Sequence, residues 1–149
     1  MFASQVAMAS LPNIHIVALL IILTVLMLGA KALCSVAVFV MLEGLFYGFA
    51  SWWFGYLIAW PLLAFVALIF KDSTAPLFWA VVSGLHGLFF GFICAIPQIF
   101  ILGLSGAIAW FISGIPFDLI HCAGNFVLAL VLFKPLYNII QRYSKNTSV

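Results

Sequence analysis

Residues 32–70, ALCSVAVFVMLEGLFYGFASWWFGYLIAWPLLAFVALIF, lie between Lys31 and Lys71 and hold one charged side chain, Glu43. A water-soluble domain cannot cover its surface with such a segment, and an outer-membrane barrel would alternate apolar and polar residues over short strands. The stretch reads instead as two membrane-crossing helices, 32–50 and 52–70.

The same composition holds along the chain. Of 149 residues, 68% are hydrophobic and 5% charged, and the mean hydropathy is +1.37. The fold class is therefore an all-α integral membrane protein. Four more apolar stretches, 14–30, 76–96, 98–112 and 117–140, make the expectation a single transmembrane domain over residues 1–149, a six-transmembrane-helix bundle. A bilayer crossing takes roughly 17 to 25 residues, so the fifth stretch is short and a five-span alternative stays open. The joints rest on Lys31, KDSTAP (71–76), Pro97 and SGIPFD (113–118).

Charge and cysteine usage narrow the partners. A net charge of +2 with no basic stripe excludes nucleic acid. Cys34, Cys94 and Cys122 form no C-x-x-C pair and read as small packing residues, so no cofactor and no metal is expected. MFASQVAMASLPN carries no Lys or Arg ahead of the first apolar run, unlike a secretory signal, so the first span is expected to remain. Lys134, Arg142 and Lys145 sit at the C-terminal end, whereas Lys31 and Lys71 fall on the opposite face of a six-span arrangement. The positive-inside rule then places both termini in the cytoplasm of a cell (plasma) membrane protein.

LEGLFYGF (42–49) returns as LHGLFFGF (85–92), with His86 in the place of Glu43. The second and fourth spans would run in one direction, which makes this a candidate parallel repeat; chance recurrence of common apolar residues is the competing explanation. Gly44 and Gly48 form one small-xxx-small pair, and Ser83, Gly87, Gly91 and Ala95 a longer stripe, for close packing of helices or of a subunit. Ionisable groups inside a span are costly unless paired or lining a polar cavity. Glu43 and His86, both near mid-membrane, are accordingly either partners of each other or ligand contacts. In GIPFDLIHCAGN (114–125), Asp118, His121 and Asn125 recur at i, i+3 and i+7 and share a helix face. Asp118 would also suit a helix N-terminus. The five tryptophans lie mostly near span ends, as interfacial anchors or stacking surfaces.

In FWAVVSGLHGLFFG (78–91), and above all in SGIPFDLIHCAGNFVLALVLFKPLY (113–137), the chain resembles the S components of energy-coupling factor (ECF) vitamin transporters. The resemblance extends from VMLEGLFYGFA (40–50) to the end. It implies a six-helix, non-enzymatic subunit that captures a vitamin or related precursor from outside the cell. It also implies as partners a transmembrane coupling subunit and two ABC-type ATPases. Under it, His121 and Asn125 would line the ligand pocket, with Asp118 at its mouth. The family's A-x-x-x-A docking motif falls in the first span; here Ala3 and Ala7 have the spacing but precede Pro12 and the apolar run, and the family's long loop after that span is missing. No G-x-x-x-x-G-K-[ST] motif occurs, so ATP hydrolysis would belong to a partner.

Two other classes compete. A metal-dependent intramembrane enzyme would use His86, His121, Glu43 and Asp118, without H-E-x-x-H or comparable spacing to support it. A self-sufficient proton-coupled carrier would use Glu43 and His86 as a relay. Abundant aromatic rings with a few amide, carboxylate and imidazole groups suit a neutral or weakly charged heterocycle as substrate, with Asn125 expected to read it.

Overall fold

The computed structural model describes residues 1–10 and 13–147, with side chains as far as Arg142. Pro12 and the side chain of Lys145 lie outside the described residues. The elements are α1 (Phe2–Ala7), α2 (Val17–Leu28), a 3-10 turn (Gly29–Lys31), α3 (Ala32–Tyr47), α4 (Ser51–Ile69) and α5 (Pro76–Thr147), with no strand among the described residues. Three helical segments, Val17–Tyr47 taken through the turn, Ser51–Ile69 and Pro76–Arg142, are long and apolar enough to cross a membrane. The chain is an all-helical membrane protein.

Glycines, not prolines, end α2, α3 and the first part of α5. Gly29 (φ 57°), Gly48 (φ 90°) and Gly103 (φ 71°) adopt a left-handed backbone that a side chain would oppose. The turn at Lys31 and the KDSTAP loop are where the sequence places them. The joints expected at Pro97 and over 113–118 are not: α5 runs through Pro97 and Pro116 and breaks at Gly103. Stretches 98–112 and 117–140 are therefore not separate helices, and the arms of α5 are 76–102 and 104–147. A proline removes one N–H, but leaving the helix in an apolar bundle would strand several backbone groups, so the helix continues.

Contacts between arms define the topology. Trp53 Nε1 donates to Val40 O at 2.8 Å and Phe39 packs on Trp60, so α3 and α4 are antiparallel. Ser51 meets Gln98, Gly55 meets Cys94 and Ala59 meets His86, which sets α4 antiparallel to the first arm of α5. Between the two arms, Phe92 faces Phe111, Gly91 faces Asp118, and Trp79 faces Phe133, so α5 is a hairpin hinged at Gly103. Consequently α3 and the first arm run the same way, as a parallel repeat requires. At the centre stands α2, whose Val17, Ile21, Ile22 and Val25 pack in one core with Trp60, Leu63, Trp79 and Phe133.

With 12 residues, or about 18 Å, α2 covers only part of a bilayer's depth. The rest is filled by α1, beside the C-terminal half of α3 where Phe2 packs on Phe46, and by residues 13–16 just before α2. Stretch 14–30 is thus not a complete span. The two arms of α5, in place of three expected stretches, change the expected charge layout. The turn holding Lys31, the loop holding Lys71, and the part of α5 with Lys134 and Arg142 share one end of the bundle. Helix α1 lies at the other end, with Gly48 and Gly103, so the expectation that both ends of the chain share a side does not fit this arrangement.

Candidate functional site

Two adjoining cavities occupy the half of the bundle away from the basic residues. The first, about 260 Å³, is lined by Gln5, Met8, Ala9, Asn13, His15, Tyr47, Tyr56, Phe90 and His121. The second, about 320 Å³, is lined by Gln5, Glu43, Tyr47, Trp52 and Tyr56. Gln5, Tyr47 and Tyr56 belong to both. Asn13 (φ 59°) takes the left-handed conformation that asparagine tolerates better than most residues, among the non-helical residues 13–16 before α2. At membrane depth such backbone is tolerated where it is covered by protein or lines a cavity.

Glu43 is 1% exposed. Its Oε2 accepts from Gln5 Nε2 at 2.8 Å, and the same nitrogen approaches Tyr56 Oη at 3.4 Å. Glu43 Oε1 has no hydrogen-bond partner. Among the described residues, no lysine or arginine lines either cavity. Deeper in, the His15 ring lies 4.9 Å from that of His121 and 5.9 Å from Trp60, while His121 lies 5.0 Å from Phe90. His15 Nδ1 and both nitrogens of His121 are buried without partners. Polar atoms left unpaired in an apolar interior are costly and mark a place where an occupant could bond.

The other residues singled out in the sequence lie elsewhere. His86 and Glu43 do not meet: His86 Nε2 donates to Ala59 O at 3.1 Å, and its ring packs on Trp60 and Phe90 behind the first cavity. Asp118 Oδ1 accepts from Gly91 N at 3.0 Å and Asn125 Nδ2 donates to Ser83 O at 3.3 Å, so both join the arms of α5 and neither lines the two cavities. Among the described residues, no three His, Cys, Asp or Glu side chains converge on a point that could hold a metal.

The small-residue stripe is internal. A Cβ on Gly87 would stand 2.7 Å from His121 O, and one on Gly91 would run into the Asp118 carboxylate. Ala95 lines a small apolar cavity with Phe92, Ala107 and Phe111 near the hinge. Gly44 lies under Phe49 and Trp53, whereas a Cβ on Gly48 would meet nothing within 4 Å, and this glycine serves the turn after α3. Trp60 and Trp79 are fully buried and so are not interfacial anchors, while Trp52 lines the second cavity.

Gln5, Asn13, His15, Tyr47, Tyr56 and Phe90 were not legible as site residues. For two of them a signal existed: Tyr47 and Phe90 hold the same place in the repeated octapeptide and line the same cavity. No protein-family description, curated protein or solved structure matches the chain.

Proposed function

We propose that this chain is a substrate-capture subunit, the S component of an ECF-type ATP-driven importer for a vitamin or related heterocyclic precursor. The observation that carries the reading is a pair of polar-lined cavities with aromatic walls inside an apolar bundle, holding a buried carboxylate and imidazoles with unused bonding capacity. That is the make-up of a small-molecule site. Gathered at one end, Lys31, Lys71, Lys134 and Arg142 favour a cytoplasmic position for that end in a plasma membrane, which puts the cavities in the outer half. The six-helix count belongs to this proposal in an amended form. Among the described residues α1 and α2 would share one passage, with α3, α4 and the two arms of α5 as the other crossings.

A coupling subunit and two ABC-type ATPases would supply reorientation and energy. Native mass spectrometry of the gently purified protein tests the proposal. The expected result is a bound heterocycle and co-purifying coupling and ATPase subunits. Bound metal without organic ligand or partners would favour the intramembrane enzyme, and uptake that persists when ATP hydrolysis is blocked would favour the self-sufficient carrier.

A further inference from the structure

The bonding capacity left over in the second cavity has a sign. Gln5 Nε2 is already committed to Glu43 Oε2 and Tyr56 Oη. What remains is Glu43 Oε1 and Gln5 Oε1, both buried and unpartnered. An ionised carboxylate and an amide oxygen accept hydrogen bonds and do not donate them. Among the described residues no lysine or arginine lines either cavity, so Glu43, when ionised, has no Lys or Arg counter-charge in the lining. Burying such a charge is costly, and an occupant that brings positive charge and N–H groups removes the cost. Tyr47, Trp52 and Tyr56 complete the lining, and aromatic faces attract cations as well as flat rings.

Building on the capture proposal, we infer that the site takes a planar organic cation with N–H donors along one edge, an amidinium or amino-substituted nitrogen heterocycle. Its donors meet Glu43 Oε1 and Gln5 Oε1, and its face lies against the tyrosine and tryptophan rings. Cavities of about 260 and 320 Å³ suit a molecule of one or two rings. His15 and His121 do not set the sign, because a neutral imidazole offers one donor and one acceptor and adapts to what the ligand presents.

Three probes of one shape separate the possibilities: benzamidine is cationic, benzamide neutral and benzoate anionic. Each is titrated against the full chain in lipid nanodiscs near neutral pH, with tryptophan fluorescence as the readout. Benzamidine is expected to bind at least about tenfold more tightly than the other two, and Glu43→Gln to erase that preference. The wild-type ranking alone decides the matter should the variant fold poorly. Equal affinities, a reversed order or no benzamidine binding overturns the inference. So does a neutral or anionic molecule found by native mass spectrometry, an outcome that leaves the capture proposal standing. Purification without any small molecule or coupling partner would instead remove the capture proposal, whatever the probe ranking.

Discussion

Gln5 shows how much one amide can organise. It is half-buried, and its side-chain amide hydrogen-bonds α1 to both α3 and α4, through Glu43 and Tyr56. Gln5→Ala leaves the Glu43 carboxylate without its donor, and such a loss costs about 1–3 kcal/mol. Thermal unfolding in detergent should show a lower midpoint for this variant, and an unchanged midpoint would mean that the bond contributes nothing. Asn125 and His121 separate in the opposite sense. Because Asn125 bonds Ser83 O, Asn125→Ala should lower stability by about 1 kcal/mol and leave ligand affinity nearly unchanged. His121→Ala should weaken ligand binding by about tenfold, because its unpaired nitrogens line the cavity. Isothermal titration of the two variants with the co-purified ligand checks the pair. Glu43 and His121 could be singled out in the sequence because a charge or an imidazole among apolar residues stands out. Gln5 and His15 could not, since polar residues ahead of an apolar run look like an ordinary tail until packing folds them inward.

Among the elements, α5 departs most from what its sequence suggests. Three prolines lie within it, yet the chain reverses at a glycine. Proline marks where a helix loses one bond; a left-handed φ marks where the chain leaves the helix, and composition does not reveal which glycine adopts it. Gly103→Ala should cost about 1 kcal/mol from backbone strain alone, since no neighbour lies within 4 Å to add a clash. Gly87→Ala meets His121 O and Cys122 N and should cost more than Gly103→Ala. Equal losses in the two unfolding midpoints would argue against close packing of the arms. The stripe from Ser83 to Gly91 was readable from its spacing of four, because small residues repeating on one helix face leave room for another helix. Spacing does not name the neighbour, which is the second arm of the same element.

For the whole molecule, the decisive feature is that the chain crosses the bundle twice, not three times, between Lys71 and Lys134. Counting 76–96, 98–112 and 117–140 as three spans sends Lys31 and Lys71 to the face opposite Lys134, whereas the two arms of α5 bring them together. Hydropathy measures how apolar a run is, not where a helix reverses, so the sequence left five and six spans both open and did not choose between them. The layout is open to direct test. In a background without the native cysteines, Leu104→Cys should react with a membrane-impermeant maleimide added outside intact cells. Asp72→Cys should react only after the cells are opened, and labelling of both from one side would sink the topology.

The hinge at Gly103 also bears on how the protein enters its membrane. Ser83, Gly91 and the small residues between them lie on one arm, and Asp118, His121 and Asn125 on the other. Synthesised alone, the first arm would present its glycine seam to lipid; emerging alone, the second would present a carboxylate, an imidazole and an amide to the acyl chains. Each face is relieved when its counterpart arrives. Insertion of α5 is therefore expected to be a paired event, in which the machinery that releases helices sideways retains residues 76–102 until the remainder has been made, and passes both to the lipid as a closed unit.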